Sequence, residues 1–173
     1  GSIVASGPNT ANPHAVPSDR VIEKGDFVLM DYGAGYCDYR SDMTRTVVMG
    51  GPTQEQLDLY ALVRRTHEEC VGAIHPGVEG NDIFKLSKKI IGDAGYGDYY
   101  NHGLGHGVGI DIHELPNFNR SKNTIEIGSV VTMEPGVYLP GVGGVRLEDY
   151  GVVTENGYEP FTKTPHDLHV IDC

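Results

Sequence analysis

The stretch that decides the fold occurs twice: residues 23–33 read EKGDFVLMDYG and residues 126–136 read EIGSVVTMEPG. Each copy places a glycine turn before an apolar run and ends in methionine, a carboxylate and a glycine. Short apolar runs bounded by turn residues favour buried strands. An Arg-x-acid motif follows each copy, at 40–42 (RSD) and at 146–148 (RLE). The sequence therefore predicts two matched half-units, and each contributes two carboxylates from strand-like segments.

The acids of this pattern, with a histidine between the copies, favour a site for two metal ions. Two ions about 3.5–4 Å apart need bridging ligands, and carboxylates bridge well. Oxygen and nitrogen ligands without thiolate select Mn²⁺, Co²⁺, Fe²⁺ or Zn²⁺. Ordinary surface acids and salt bridges are the alternative, which the repeated context disfavours. The predicted ligands are Asp31, Asp42, Glu134, Glu148 and His106.

The two arginines of the Arg-x-acid motifs are expected to orient these ligands. Side chains two residues apart on a strand share a face. Arg40 should therefore lie beside Asp42, and Arg146 beside Glu148, where each arginine holds carboxylate oxygens in place.

The first copy also predicts a β-hairpin, with strands at 21–29 and 39–48. If the hairpin is centred near Tyr36 and Cys37, Asp31 and Asp42 face each other across it. Directly opposed like charges destabilise a sheet. A bound cation would remove that repulsion.

Three histidines lie in the glycine-rich segment 102–116, HGLGHGVGIDIHELP. Glycine permits close approach of the backbone to a ligand or to another strand. The clustering of His102, His106 and His113 favours a site over three separate packing roles, whereas His14 gives only a weak independent signal. The remaining histidines are expected to be structural or exposed: His67, His75, His166 and His169.

The rest of the pattern indicates an α+β protein. A capping box at 53–56 (TQEQ) starts a helix that should run to about residue 74, and a second helix is expected over 81–93. Four short strands are expected at 130–134, 137–139, 145–149 and 151–154. Helices that follow one hairpin, with strands rebuilt by the second copy, fit an α+β arrangement.

Composition narrows the class of protein. The 173 residues fit one domain, and 24 acidic against 13 basic residues argue against nucleic acid or an anionic membrane as partner. No apolar run approaches the roughly 20 residues that span a bilayer. Three scattered cysteines without a CxxC pair suit free thiols in a reducing cytosol, so we expect a cytoplasmic protein.

The chain resembles the pita-bread metallopeptidases, the family of methionine aminopeptidase, prolidase and aminopeptidase P. The resemblance implies a mostly antiparallel sheet with a pseudo-twofold internal repeat and helices on the outer face. It also implies a single catalytic domain over 1–173 that lacks the family's N-terminal part. It is carried by SGPNTANPH (6–14), DFVLMDYGAGYCDYRSDMTRT (26–46), NHGLGHGVGIDIHELP (101–116), SVVTMEPGVYLPG (129–141) and GGVRLEDYGVVTENG (143–157).

The resemblance implies a role for each ligand. Asp31 would chelate one metal, His106 and Glu134 would bind the other, and Asp42 and Glu148 would bridge them. The expected cofactor is a pair of divalent ions, with Mn²⁺ first and Co²⁺, Fe²⁺ or Zn²⁺ as alternatives.

Two residues point to the proline-specific branch of the family. His102, four residues before the ligand His106, and Arg146, in GVRLED, are marks of the Xaa-Pro enzymes. The expected activity is hydrolysis of the bond between an N-terminal residue and a penultimate proline, in a peptide or dipeptide. A methionine or broad-specificity aminopeptidase and an inactive pita-bread binding protein are the alternatives. A homodimer is expected by resemblance only.

Catalytic roles follow from the same resemblance. Glu134 would act as general base, and His113, assisted by His14, would stabilise the tetrahedral intermediate. Many prolidase-like members carry an arginine at the position of Asn117, whereas here Arg120 lies three residues later, so the choice between dipeptides and longer peptides stays open. The residues expected to bind substrate are His14, His102, His113 and Arg146.

Overall fold

The described residues form a four-stranded sheet, a five-stranded sheet, two two-stranded sheets and two α-helices, the α+β arrangement that the sequence predicts. The structure is a computed structural model that describes residues 2–172; Gly1 and Cys173 lie outside the described residues. The helices are α1 (Gln54–Gly72) and α2 (Gly80–Asp93), with short 3₁₀ helices at Gly7–Ala11 and Gly97–Tyr99. The strands are β1 (Ile3–Ser6), β2 (Phe27–Tyr32), β3 (Gly35–Tyr36), β4 (Tyr39–Arg40), β5 (Met43–Met49), β6 (Gly105–Gly107), β7 (Glu114–Phe118), β8 (Val130–Met133), β9 (Gly136–Leu139), β10 (Gly143–Arg146), β11 (Asp149–Thr154), β12 (Gly157–Pro160) and β13 (His169–Ile171).

The two copies of the repeat occupy interior positions in two different sheets. The first copy forms β2 in a four-stranded sheet of order β1-β2-β5-β13, and the second forms β8 in a five-stranded sheet of order β12-β11-β8-β6-β7. All pairs are antiparallel except β5 with β13. An isolated bridge between Thr44 and Glu148 joins residues of the two copies' Arg-x-acid regions. The acid that ends each copy therefore lies at an interior strand.

The helices form where the sequence predicts them. The capping box is present: the Thr53 hydroxyl accepts from the Gln56 backbone N–H at 3.2 Å, and the Gln56 side chain accepts from the Thr53 N–H at 2.9 Å. One core lies between the helices and the sheets, because apolar side chains from both kinds of element are buried in a single cluster. Its fully buried members include Leu59, Val63, Ile91, Val131, Val145 and Val153.

The predicted hairpin is correct in kind but wrong in register. Asp31 faces Thr44 instead of Asp42, and the turn is centred between Cys37 and Asp38. Both turn residues have positive φ, 48° and 69°, as the tight turn of a two-residue hairpin requires. The turn therefore sits one residue later than predicted, and the two acids lie diagonally across the strands.

Several strand boundaries also differ from the prediction. The strand expected from residue 21 begins at Phe27, and the strand expected over 39–48 is interrupted at 41–42. Strands β1, β12 and β13 were not predicted. Strands β1 and β13 form by pairing with β2 and β5, which are distant in sequence, so no local pattern indicates them.

The cysteines are free thiols, as expected. Cys37 is exposed and Cys70 is buried; Cys173 lies outside the described residues. Across residues 2–172, no helix combines the length and the apolar character that crossing a membrane would need.

The glycine before His106 is required by close packing, which gives a stability prediction. A Cβ at Gly105 would overlap the Thr132 carbonyl oxygen and lie 2.9 Å from its carbon, whereas nothing lies within 4 Å of a Cβ at Gly51. We expect Gly105→Ala to lower the free energy of unfolding by about 1–3 kcal/mol, the usual cost of overpacking. Urea unfolding should show Gly51→Ala within about 0.5 kcal/mol of wild type. Equal midpoints for both variants would contradict this account of the packing.

Candidate active site

One cavity of about 980 Å³ gathers every functional residue that the sequence predicts. Its walls come from both halves of the chain, so residues more than a hundred positions apart meet there. The predicted residues that line it are His14, Asp31, Arg40, Asp42, His102, His106, His113, Glu134, Arg146 and Glu148.

The five predicted metal ligands are held at strand ends or next to them. Asp31 lies near the end of β2, and Asp42 immediately precedes β5. His106 is the middle residue of β6, and Glu134 directly follows β8. Glu148 lies between β10 and β11, where its backbone N–H donates to the Thr44 carbonyl at 3.1 Å. Residues in these positions keep rigid backbones while their side chains leave the sheets.

Three of the ligands already lie at metal-binding separations. Ligand atoms of Asp42, His106 and Glu148 are all within 4.8 Å of one another. His106 Nε2 is 3.4 Å from Glu134 Oε1 and 3.8 Å from Asp42 Oδ2. The structure therefore brings acids from both copies of the repeat to one imidazole.

The imidazole of His106 is in the form that binds metal. Its Nδ1 lies 3.0 Å from the Gly107 carbonyl oxygen, which can only accept, so Nδ1 carries the proton. Burial lowers the pKa of His106 to about 4, so the ring is neutral near pH 7. The lone pair on Nε2 consequently faces the acids, as in metal sites whose other ring nitrogen is tied to the backbone.

The acids repel one another strongly in the absence of a cation. Burial, together with the negative charge of Asp31, raises the pKa of Asp42 to about 7. Burial and the charges of Asp42 and Asp31 raise the pKa of Glu134 to about 8. Burial and the neighbouring acids also raise the pKa of Glu148 well above its ordinary value. A divalent cation would relieve this repulsion, so the residues present fit the metal ions that the sequence predicts.

Arg146 lies 2.6 Å from Asp31, where the sequence predicted a pairing with Glu148. Its Nη2 donates to Asp31 Oδ2, and its Nε donates to Thr44 Oγ1 at 3.0 Å. The Thr44 hydroxyl in turn donates to Glu148 Oε2 at 2.6 Å. The prediction failed because β10 ends at Arg146, so the period of two does not continue to residue 148. Arg146 therefore reaches Glu148 only through Thr44.

Arg40 does not orient Asp42 as predicted. Strand β4 ends at Arg40, and residues 41–42 leave the strand. The Arg40 side chain is exposed on the cavity wall, and within residues 2–172 it forms no ion pair and no hydrogen bond. Its backbone N–H donates to the Gly109 carbonyl at 2.8 Å, which fastens the hairpin to the glycine-rich segment.

His102 is fixed by a directed chain of hydrogen bonds. Its Nδ1 donates to the Gly103 carbonyl at 2.6 Å, and its Nε2 accepts from the Tyr138 hydroxyl at 2.8 Å. Arg146 Nη1 donates to the same hydroxyl at 3.0 Å. Burial lowers the pKa of His102 to about 4 and raises that of Tyr138 to about 12, so both groups stay neutral. This chain links His102 to Asp31 through Tyr138 and Arg146.

Tyr138 and Thr44 were not predicted as site residues. Their one sequence signal is spacing: Tyr138 lies four residues after Glu134, just beyond the second copy, and Thr44 lies two residues after Asp42, near the start of β5. The Thr44 hydroxyl, from the first half, joins Arg146 and Glu148 of the second half, and the Tyr138 hydroxyl joins Arg146 to the neutral His102. That role is visible only once the halves are docked.

His113 and His14 lie on the cavity wall with exposed side chains. The ring centroid of His113 is 4.3 Å from that of His106, with the planes at 63°. His14 follows the 3₁₀ helix Gly7–Ala11, and the carbonyl of Pro13 before it accepts from Arg146 Nη1 at 3.2 Å. Both imidazoles therefore border the space next to the acids.

Residues 1–155 match the family described as metallopeptidase family M24. The chain belongs to this family. It is 45% identical over 168 residues to a Xaa-Pro dipeptidase of Pyrococcus furiosus, an alignment that covers 96% of this chain and 48% of that protein. The chain thus spans about half the length of the curated relatives it matches.

Solved structures agree with this membership. A recombinant prolidase from Thermococcus sibiricus superposes with a TM-score of 0.95 at 42% identity, over 98% of this chain and 47% of that one. An X-Pro aminopeptidase from Thermotoga maritima superposes with a TM-score of 0.95 at 36% identity, over 98% and 49%. The pita-bread fold predicted for the M24 chain is confirmed.

The raised carboxyl pKa values predict how stability depends on pH. In the metal-free chain, Asp42 and Glu134 hold protons up to about pH 7 and about pH 8, whereas unfolded carboxyls lose them near pH 4. The folded state therefore binds more protons, and stability falls as pH rises from about 6.5 to about 8. Below about pH 6.5 the buried histidines have the opposite effect on stability. Burial lowers the pKa of His67, His102 and His106 to about 4, so the unfolded chain binds more protons there and stability rises with pH.

Thermal unfolding after chelator treatment, at several pH values with and without Mn²⁺, measures this effect. We expect the melting temperature to fall with pH in the metal-free chain, and Mn²⁺ to raise it most at the upper end of the window. Asp42→Asn should flatten the slope, and exposed Asp58→Asn should leave it unchanged. A metal-free chain whose stability does not change across the window would contradict the predicted coupling.

Proposed function

We propose that this M24 chain carries the catalytic site of a dinuclear-metal-dependent peptidase that cleaves between an N-terminal residue and a penultimate proline. One observation carries the proposal: Asp42, His106 and Glu148, from both halves, place ligand atoms within 4.8 Å of one another, with Asp31 and Glu134 on the same cavity. The names of the similar proteins, Xaa-Pro dipeptidase and prolidase, support the choice of substrate.

The proposed cofactor is a pair of divalent ions, Mn²⁺ first, with Co²⁺, Fe²⁺ or Zn²⁺ as alternatives that the ligand chemistry also accepts. Asp31 would bind one ion, His106 and Glu134 the other, and Asp42 and Glu148 both. When bound, such ions polarise a carbonyl oxygen and make water acidic enough to act as a nucleophile near neutral pH.

Glu134 is the proposed general base. Its side chain is 18% exposed, so it is largely shielded yet still open to the cavity. Its Oε1 is 3.4 Å from Nε2 of His106, so the carboxylate lies beside the position proposed for the metal-bound water. From there it would accept a proton from the attacking water and return it to the nitrogen of the leaving proline.

The histidines are proposed to position the substrate. The neutral ring of His102, locked between Gly103 and Tyr138, offers an apolar surface against which a proline ring packs. His113 and His14 border the cavity as exposed N–H donors for the oxyanion that develops on the scissile carbonyl. Arg146 acts as a positioning residue because its contacts are to Asp31, Tyr138 and Thr44.

Cleavage of longer peptides is a second candidate within the same chemistry. The cavity lies at the upper end of the roughly 300–1,000 Å³ range of small-molecule pockets, so it has room beyond a dipeptide. The likeness to an X-Pro aminopeptidase supports this alternative. Asn117 lines the cavity, whereas Arg120 lines a neighbouring pocket that shares His102 with it.

Hydrolysis of Ala-Pro, Ala-Pro-Ala and Ala-Ala-Ala by the Mn²⁺-loaded chain, with a chelated control, tests the proposal. We expect cleavage of the proline substrates only, and none after chelation. The ratio of Ala-Pro to Ala-Pro-Ala cleavage decides between dipeptidase and aminopeptidase. Equal cleavage of Ala-Ala-Ala would overturn the proline specificity, and activity that survives chelation would overturn the role of metal.

Removal of one proposed bridging ligand gives a sharper test. Asp42→Asn keeps the size of the side chain and removes its charge, so we expect proline-peptide turnover to fall more than about 100-fold, because groups that only orient ligands already cost about 10–100-fold. The matched control is Asp58→Asn on the exposed face of α1, which should keep wild-type turnover. Wild-type turnover in Asp42→Asn would defeat the ligand assignment.

A further inference from the structure

A second cluster of ionisable side chains lies outside the catalytic cavity. His67 is on α1, Asp149 is the first residue of β11, and His166 lies between β12 and β13. One ligand atom from each is within 4.8 Å of the others. Asp149 Oδ2 lies 2.6 Å from His166 Nε2 and 3.4 Å from His67 Nε2. Sequence analysis assigned both histidines to ordinary packing or surface roles.

His67 is buried without a hydrogen-bond partner. It is 2% exposed, and within residues 2–172 neither ring nitrogen has a partner, since the approach to Asp149 lacks hydrogen-bond geometry. Buried polar atoms in native proteins are nearly always paired, so an orphan of this kind calls for an explanation. Burial lowers the pKa of His67 to about 4, so the ring is neutral and offers a lone pair.

Arg45 fixes the Asp149 carboxylate so that one oxygen faces the two imidazoles. Its Nη2 donates to Asp149 Oδ1 at 2.7 Å and to the Thr164 carbonyl at 2.8 Å, while Nη1 donates to the Glu148 carbonyl at 2.6 Å. Asp149 is paired with the Arg45 guanidinium on one oxygen and with His166 Nε2 on the other, as a carboxylate would be. Its Oδ2 remains available to the two imidazoles.

We propose that His67, Asp149 and His166 form an additional metal site for Zn²⁺ or a similar borderline divalent ion. Two imidazoles and a carboxylate are a common zinc ligand set, with a fourth position left for water. Ligands about 2 Å from a tetrahedral ion lie roughly 3.3 Å apart, so small side-chain rotations from the present separations suffice. The proton that His166 Nε2 now shares with Asp149 would move to Nδ1 when the ion binds, which frees the Nε2 lone pair. The His166 side chain is 29% exposed, which gives an ion a route from solvent.

The site ties together three parts of the chain that are distant in sequence. His166 belongs to the segment that leads into β13, which is also held by the Tyr60 hydroxyl, a donor to the His166 carbonyl at 3.1 Å. Asp149 directly follows Glu148, the proposed bridging ligand of the catalytic pair. A bound ion would therefore fasten the C-terminal segment to α1 and β11 and stabilise the backbone next to that ligand.

The test counts zinc ions in the full chain. The chelator-stripped chain is dialysed against ZnCl₂, then against metal-free buffer, and zinc per chain is measured by mass spectrometry. We expect His166→Gln and His67→Gln each to hold one equivalent fewer than wild type, and the zinc-induced rise in melting temperature to shrink with it. The matched control is His169→Gln, an exposed histidine on β13 outside the cluster, which should retain wild-type content.

Equal zinc content in wild type and folded His166→Gln would overturn the proposal, as would the same loss in His169→Gln. Circular dichroism establishes folding for each variant. If His67→Gln fails to fold, the half-buried position of His166 still gives a decisive variant. The readout does not depend on peptide cleavage, so it stays independent of the proposed activity.

Discussion

The structure depends on one electrostatic constraint: acids from both halves of the chain are brought close together at largely buried positions on the wall of one cavity. Asp42, Glu134 and Glu148 all have pKa values raised by burial and by neighbouring acids of the site. Asp31 is the fourth acid of the site, and among the described residues it is the one that pairs with an arginine, Arg146. A single guanidinium cannot neutralise four acids, so in the metal-free chain Asp42 and Glu134 reduce the repulsion by holding protons up to about pH 7 and about pH 8. The strands that carry the acids must be rigid enough to resist the repulsion that remains.

That requirement explains why the acids sit where they do. Interior strands such as β2 and β8 are hydrogen-bonded on both sides, so the backbone beside Asp31 and Glu134 cannot retreat from like charge. His106 lies on β6, which is bonded to β7 and β8 and packed closely through its glycines. Rigid placement is also what a metal site needs, because geometry rather than raw affinity sets which ion binds.

Much of this arrangement could be predicted from the sequence, because the repeated motif, the capping box and the glycine-rich segment are local signals. All ten predicted site residues meet in one cavity. The predictions that failed depend on tertiary structure. The partner of Arg146 is Asp31, contributed by the other half, and strand periodicity could not show this once the strand had ended. The register of the hairpin depends on which two residues adopt positive φ. One of them is Cys37, and cysteine is not among the residues, such as Gly, Asn and Asp, that usually indicate such a turn.

The two buried arginines show that site and fold are formed together. Arg45, from the first half, binds Asp149 of the second, and Arg146, from the second half, binds Asp31 of the first. Glu148 lies between these two ion pairs. Thr44 holds it twice: the Thr44 hydroxyl donates to the Glu148 carboxylate, and the Thr44 carbonyl accepts from the Glu148 backbone N–H. Breaking either pair would leave a buried charge without a partner, at a cost of several kcal/mol. The halves therefore cannot separate, even slightly, without also dispersing the ligands, and a metal that draws the acids together must stabilise the docking of the halves in the same step.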